Sequence, residues 1–218
     1  MFEAVIFDWD GTLADTRKVI VVSFQKALKE NNLEVSNQFI ERRIGVGASE
    51  IFREILHAAN RRVDENIVNQ LVERKSKVQI DLASMVTLFD GGRELMETLQ
   101  GRVKVGLASM NNRVVIMHLL QKNELADCFD KVLTVESVSH SKPDPEIFLK
   151  TAEHLKAKPQ ACVVFEDSIF GVKAAKSAGM GCIAVTTGVY NEEELGLERP
   201  DLVVESLRNH QILPFIFQ

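Results

Sequence analysis

Apolar residues follow two different rhythms along the chain, and the change falls near residue 87. Residues 4–7 read Ala-Val-Ile-Phe, a short apolar run typical of a strand that is covered on both faces. Residues from about 16 to 86 instead show helical spacing and contain no proline. Helices are predicted there at residues 17–31, 38–43, 49–59 and 64–84.

From about residue 91 onward, strand-like runs alternate with helical ones. The predicted strands cover residues 103–108, 131–135, 161–165, 182–185 and 201–204, and the predicted helices cover 112–123, 145–156 and 168–178. This alternation is typical of a parallel sheet with helices on both sides. The chain is therefore predicted to be an α/β protein. Residues 1–14 and 87–218 would form a doubly wound, Rossmann-like parallel sheet, and residues 15–86 an inserted all-helical cap.

Composition narrows the class of protein. The chain has 218 residues, of which 45% are hydrophobic and 26% are charged, so a sizeable core is expected. The net charge is −5 and lysine and arginine are spread along the chain, so we expect no nucleic-acid partner. No apolar run reaches the roughly 18 residues of a membrane helix, and the first residues lack a leader pattern. We therefore expect no membrane association and a cytoplasmic location.

The three cysteines have no spacing that indicates a disulfide framework or a zinc site. Cys128, Cys162 and Cys182 are odd in number and far apart, and the last two lie in apolar, strand-like runs. We interpret them as small buried residues in a reducing compartment.

Polar residues follow several of the predicted strands, where open parallel sheets bind ligands. They are Asp8 and Asp10 after the first strand, Ser109 and Asn111 after the next, and Glu166 and Asp167 after a later one, with Lys142 in a strand-to-helix loop. Each also has a purely structural interpretation, as a turn residue, a helix cap or a solvated loop residue. Their common position predicts that they meet at one edge of the sheet.

The chemistry of this set favours phosphoryl transfer. Up to four carboxylates would lie together, and crowded carboxylates repel one another unless a cation joins them. Mg²⁺ is suited to such a place because it takes oxygen ligands and commonly keeps waters and substrate phosphate. A lysine and neutral hydrogen-bonding groups beside such a cation are useful for a phosphate, whose transfer depends on positioning and charge neutralisation.

Four segments in this order resemble the haloacid dehalogenase superfamily, in its branch of small-molecule phosphatases and phosphomutases with a helical cap. The matching segments are Phe7-Asp8-Trp9-Asp10-Gly11-Thr12-Leu13, Ala108-Ser109-Met110-Asn111, Ser141-Lys142-Pro143-Asp144-Pro145 and Phe165-Glu166-Asp167-Ser168. The resemblance covers nearly the whole chain and implies the fold predicted above.

The resemblance also implies roles for individual residues. Asp8 would be the nucleophile that forms an aspartyl-phosphate, and Asp10 would protonate the leaving oxygen and later deprotonate water. Mg²⁺ would be held by Asp8, the backbone carbonyl of Asp10, and Asp167, while Glu166 would orient a metal-bound water. The residues implied to bind the phosphate are Thr12, Ser109, Asn111 and Lys142.

Substrate choice in such proteins is expected to depend on the cap. Its candidate residues are Thr16, Arg42, Arg43, Gly45, Gly47, Ser49 and Lys75. Lys75 resembles a cap lysine that faces the active site in related enzymes, but a lysine exposed on its helix is an equally valid interpretation.

The predicted function is that of a phosphatase acting on a small phosphorylated metabolite, either a phosphoglycolate-like acid or a sugar phosphate. The protein would be a monomer or a homodimer. A phosphosugar mutase of the β-phosphoglucomutase type is the alternative, although Ile20 stands where those mutases carry histidine. A non-catalytic binding protein on the same fold is a further alternative. Asp10 argues against cleavage of carbon–halogen bonds and of phosphonates.

Overall fold

A six-stranded, all-parallel sheet is the centre of the computed structural model, which describes residues 1–218. The strands of the protein are β1 (Ala4–Phe7), β2 (Ala14–Asp15), β3 (Thr87–Leu88), β4 (Lys104–Ala108), β5 (Lys131–Leu133), β6 (Cys162–Glu166), β7 (Gly181–Val185) and β8 (Leu202–Val204). In the six-stranded sheet their order is β5-β4-β1-β6-β7-β8. The predicted α/β class with a doubly wound parallel sheet is confirmed.

The first strand lies in the middle of this sheet and is buried along its whole length. Ala4 pairs with Lys104 of β4 on one side and with Cys162 of β6 on the other. Chain order runs outward from β1 in both directions, so the strand order reverses there. A crevice at the carboxyl end of β1 is the expected ligand site of such a sheet.

Helices cover both faces of the sheet. They are α1 (Arg17–Lys29), α2 (Asn37–Glu41), α3 (Ala48–Ala58), α4 (Glu65–Asp81), α5 (Gly92–Leu99), α6 (Arg113–Lys122), α7 (Glu146–Leu155), α8 (Ile169–Ser177), α9 (Glu192–Gly196) and α10 (Ile212–Phe217). Because side chains alternate along a strand, Val5 and Phe7 join one apolar core while Ala4 and Ile6 join the other.

A third apolar core lies within the helices α1 to α4. It contains 15 buried residues, among them Phe24 and Phe52, whose ring centroids are 4.7 Å apart. No strand occurs between residues 16 and 86. The helical segment is joined to the rest by the two-stranded antiparallel ribbon of β2 and β3, in which Ala14 pairs with Leu88. This ribbon was not predicted from the sequence, and the division at residues 15–86 stays a prediction.

Other differences from the predicted elements are local. The fourth helix ends at Asp81 and is followed by a short 3₁₀ turn, Ala83–Met85. The strand predicted at residues 131–135 ends at Leu133, and α5 and α10 were not predicted. Cys162 and Cys182 are buried and unpaired, as expected. The protein has no helix long and apolar enough to cross a membrane.

The core of the helical segment should depend strongly on its aromatic pair. Phe52→Ala removes a fully buried ring, and we expect a loss of about 3–5 kcal/mol in the free energy of unfolding because a cavity remains. Urea unfolding followed by circular dichroism measures the change. Val114→Ala, at a side chain that is 59% exposed, is the control and should change stability by less than about 0.5 kcal/mol. Equal effects of the two variants would contradict this packing.

Candidate active site

The buried ammonium group of Lys142 binds three acceptors at the carboxyl ends of β1, β4 and β6. Lys142 Nζ donates to Asp8 Oδ1 at 2.6 Å, to Glu166 Oε1 at 2.7 Å and to the backbone oxygen of Ala108 at 3.1 Å. All three hydrogens of the ammonium are therefore used. The Lys142 side chain is fully buried, so its charge is fixed between two carboxylates that follow β1 and end β6.

Both carboxylate oxygens of Glu166 accept hydrogen bonds. Its Oε1 accepts from Lys142, and its Oε2 accepts from the backbone N–H groups of Asp167 and Ser168 at 3.1 and 3.2 Å and from Ser168 Oγ at 3.0 Å. Ser168 also caps α8 by accepting from the N–H of Gly171. A Cβ atom at Gly171 would lie 1.8 Å from the Glu166 carboxylate. Only glycine therefore leaves room for this arrangement.

Asp167 lies in a cradle of one hydroxyl and two glycines. Thr12 Oγ1 donates to Asp167 Oδ1 at 3.0 Å. Added Cβ atoms at Gly11 and Gly188 would lie 2.3 and 1.8 Å from Asp167 Oδ2. Gly188 was not a predicted site residue, although it lies three residues beyond the end of β7 and the rule of strand carboxyl ends would have found it.

The three carboxylates form a compact and strongly acidic group. One oxygen each of Asp8, Glu166 and Asp167 lies within 4.8 Å of the others. Burial raises the pKa of Asp8 to about 8 against the opposing charge of Lys142. Burial, together with the charges of Glu166 and Asp8, raises the pKa of Asp167. One ammonium does not balance this set, and a hard divalent cation with oxygen ligands fits the donors that are present.

Asp10 is linked to the helical segment through Asn111. Asn111 Nδ2 donates to Asp10 Oδ2 at 3.2 Å, and Asn111 Oδ1 accepts from Lys75 Nζ at 3.1 Å. The backbone N–H of Asn111 donates to Ser109 Oγ at 3.1 Å. Lys75 is only 3% exposed, which excludes its interpretation as an exposed helix lysine. Burial lowers the pKa of Lys75 to about 8, opposed by the charge of Asp10.

Two polar atoms near this network are left without a partner. Asp10 Oδ1 and Thr16 Oγ1 are buried and neither makes a hydrogen bond of good geometry, although the Thr16 hydroxyl is near enough to lower the pKa of Asp10. Burial raises the pKa of Asp10, and the charge of Lys75 opposes this rise. A buried carboxyl that favours its protonated form and has a free oxygen is well placed to give a proton to a ligand.

The cavity at this place has one polar and one apolar side. Asp8, Asp10, Asn111 and Lys75 form the polar side. The rest of the lining is apolar or glycine and consists of Ile20, Phe24, Ile40, Ile44, Gly45, Val46, Ala48, Ile51 and Met110. The volume is about 20 Å³, room for about one water molecule. The helices thus close over the polar edge, and a substrate needs them to move away.

Gly45, Gly47, Ser49 and Thr16 differ in their relation to this cavity. Gly45 lines it, with a φ of +103° that favours glycine, whereas Gly47 and Ser49 do not line it. Thr16 lines a second cavity of about 150 Å³ that also reaches Asp167.

The two cap arginines named from the sequence point elsewhere. Arg42 pairs with Glu194 at 2.6 Å and lies 4.1 Å from the centre of the Tyr190 ring, while Tyr190 donates its hydroxyl to the Arg42 backbone oxygen. Arg43 pairs with Glu54. Neither arginine lines the cavity. Arg42 therefore joins the helical segment to the loop and helix after β7, a link that the sequence did not predict.

Removing the central ammonium should destabilise the protein. Lys142→Met leaves two carboxylates buried without their counter-charge, and we expect a loss of about 3–5 kcal/mol in the free energy of unfolding at neutral pH. Lys173→Met, at an exposed lysine of α8, is the control and should have little effect.

The loss of unfolding free energy in Lys142→Met relative to the wild type, its stability deficit, should also depend on pH. Asp8 has a folded-state pKa raised to about 8 even with Lys142 present. Loss of the ammonium should raise this pKa further, so below about pH 8 Asp8 is protonated in both folded proteins and its contribution to the deficit does not change with pH. The deficit should therefore grow as the pH rises from about 8 to 10, where Asp8 ionises in the folded wild type but not in the folded variant. Urea unfolding over this pH range measures it, and a deficit that is constant with pH would contradict the proposed cause.

Comparisons with known proteins agree with these features. Residues 5–185 match the family model described as haloacid dehalogenase-like hydrolase. The chain is 32% identical over 180 residues to a phosphorylated carbohydrates phosphatase of Thermotoga maritima, covering 82% of each chain. It is 30% identical over 192 residues to a β-phosphoglucomutase of Bacillus subtilis, covering 85% of this chain and 84% of the relative. Among solved structures, a hydrolase from Pseudomonas syringae superposes with a TM-score of 0.89 at 26% identity, covering 97% of this chain and 98% of the other.

Proposed function

The chain belongs to the haloacid dehalogenase-like hydrolase family, and we propose that it is a Mg²⁺-dependent phosphatase that cleaves a small phosphomonoester through a phosphorylated Asp8. One observation carries the proposal. Asp8, held by a buried ammonium, faces the same cavity as a second carboxyl, Asp10, which has a free oxygen. The name of the Thermotoga maritima relative, a phosphorylated carbohydrates phosphatase, supports the same class of reaction.

In the first half-reaction, a carboxylate oxygen of Asp8 forms a bond to phosphorus. The bond between phosphorus and the ester oxygen breaks, and the leaving oxygen takes the proton of Asp10. The raised pKa of Asp10 favours the protonated form that this step requires. Lys142 binds Asp8 Oδ1, which orients the carboxylate and offsets the negative charge of the incoming phosphate.

In the second half-reaction, water replaces Asp8 on phosphorus. Asp10, now deprotonated, takes a proton from the attacking water, and the bond between Asp8 and phosphorus breaks to release inorganic phosphate. Ser109, Asn111 and the backbone of Thr12 would bind the phosphate oxygens in both steps. Their polar groups lie at or beside the edge where Asp8 and Asp10 meet.

Mg²⁺ would be held by Asp8, the backbone carbonyl of Asp10, and Asp167. When bound, it would supply positive charge that offsets the charges of the carboxylates and of the phosphate. Glu166, which the family resemblance assigns to a metal-bound water, has both oxygens engaged with Lys142 and with the start of α8. We assign it the additional role of positioning Lys142.

A phosphosugar mutase remains the second candidate, since a relative with 30% identity is named β-phosphoglucomutase. The first half-reaction would be the same. Ile20, at the position where mutases of the family carry histidine, lines the cavity and offers no group that moves a proton. The phosphatase is therefore the better supported of the two, and conversion of a sugar phosphate into its isomer would favour the mutase.

Substitution of the two aspartates should separate their roles. Asp8→Asn removes the nucleophile, so no phosphoenzyme should form. Asp10→Asn should lose about 10²–10⁴-fold in activity on an alkyl phosphate, whose leaving oxygen needs a proton. On an aryl phosphate with an acidic phenol it should lose less in the first step and accumulate phosphoenzyme.

Rapid-quench trapping of labelled protein, with activity on both esters, measures these effects. Labelled Asp8→Asn, or an equal loss on both esters with Asp10→Asn, would contradict the assigned roles.

Activity should depend on a bound metal ion. A chelator should abolish phosphate release, and Mg²⁺ should restore it.

The affinity for Mg²⁺ should depend on the two glycines that lie against Asp167. Gly188→Ala places a methyl group where the Asp167 carboxylate lies, so we expect about 10–100-fold weaker Mg²⁺ binding by titration calorimetry without substrate. Gly196→Ala, which meets nothing within 4 Å, is the control. Unchanged affinity in Gly188→Ala would exclude Asp167 as a ligand.

A further inference from the structure

We propose that the site selects phosphate esters of short alcohols with an apolar body, such as 2-phospho acids with a small alkyl side chain, and rejects polyol phosphates. This proposal rests on the proposed phosphatase function and adds the class of leaving group. It follows from the contrast between the two sides of the cavity beside Asp10.

The cavity wall formed by the helical segment is the segment's own core. Ile20 and Phe24 of α1, Ile40 of α2 and Ile51 of α3 all line the cavity. The same four side chains are at most 5% exposed and belong to one apolar cluster. Once the helices have moved far enough to admit it, a hydroxyl-bearing leaving group would therefore face aliphatic and aromatic carbon along most of this wall.

The cationic side chains of the segment do not interrupt that wall. Arg42 and Arg43 are paired with Glu194 and Glu54, away from the cavity. Lys75 is the one charged side chain of the segment in the lining, and its Nζ lies at the polar end, on Asn111. The wall thus offers one cation near the reacting groups and apolar side chains beyond it.

This distribution determines which leaving group fits. A single carboxylate close to the ester oxygen can meet Lys75, because one amide group separates Lys75 from Asp10. An alkyl group beyond it is removed from water against the apolar wall, which is favourable. A hydroxyl in the same place loses its hydrogen bonds to water without gaining a side-chain partner, which is unfavourable. Sugar phosphates, with several hydroxyls, meet this penalty repeatedly.

A pair of esters that differ by one hydroxyl tests the proposal. 2-Phospholactate and 2-phosphoglycerate share the phosphate, the carboxylate and the carbon skeleton, and the second adds a hydroxyl to the methyl group. We expect kcat/KM to be about 10–100-fold higher for 2-phospholactate, with β-glucose 1-phosphate lower than both. Equal values, or a preference for the hydroxylated esters, would overturn the proposal.

Substitutions of a side chain in the apolar wall test whether the wall sets the ratio of kcat/KM for 2-phospholactate to that for 2-phosphoglycerate. Ile20→Thr introduces a hydroxyl into the lining and should reduce the preference for 2-phospholactate by about 10-fold. Ile20→Val controls for the loss of volume and should keep the preference. Val21→Thr, at a buried neighbour that does not line the cavity, should also keep it. If Ile20→Thr and Val21→Thr changed the ratio equally, the wall would not be the cause.

The chemistry itself is tested separately, with an aryl phosphate and Mg²⁺. p-Nitrophenyl phosphate needs little help from the wall, so its hydrolysis, with labelling of Asp8, reports the proposed phosphatase function alone. If it is hydrolysed and polyol phosphates are preferred over alkyl ones, the phosphatase stands and the proposed selectivity fails. If no ester is hydrolysed and Asp8 is never labelled, both proposals fail.

Discussion

The burial of Lys142 is the constraint on which the candidate site depends. An ammonium taken from water is tolerated only if negative groups and hydrogen-bond acceptors surround it. Here Asp8, Glu166 and the carbonyl of Ala108 do so, and they belong to three adjacent strands or the residues directly after them. The ion pair thus requires that β1, β4 and β6 keep their register, and it fixes the nucleophile relative to the sheet.

Glycine residues extend this constraint to the remaining carboxylates. Glu166 lies where a side chain at Gly171 would be, and Asp167 lies where side chains at Gly11 and Gly188 would be. The missing Cβ atoms let the carboxylates lie directly against the glycine backbone, which keeps them close to one another. Burial, followed by the charges of Glu166 and Asp8, raises the pKa of Asp167, and a bound cation would offset these charges.

Much of this arrangement could be predicted from the sequence, and the exceptions have a common cause. The apolar run of β1 and the polar residues after the strands carry local signals, so the sheet and the carboxylate cluster were expected. The ribbon of β2 and β3 has two residues per strand, too few for a periodic pattern. The burial of Lys75 has no local signal either, since it depends on how α4 lies over the sheet edge. What escaped prediction was decided by long-range packing.

Asn111 shows why the position of the helices matters for the chemistry. Its amide oxygen accepts from Lys75 of the helical segment while its amide nitrogen donates to Asp10. The opposite orientation would set the amide N–H groups against the Lys75 ammonium and against the backbone N–H of Asn112, which donates to Asn111 Oδ1 at 3.0 Å, so these two donors fix the side of Asn111 that faces the acid. When the helices move away to admit a substrate, Asn111 loses the contact with Lys75 and keeps the one with the N–H of Asn112. Closure of the helices therefore adds a charged donor to an amide beside Asp10 that Asn112 already orients, and the same closure brings up the apolar wall.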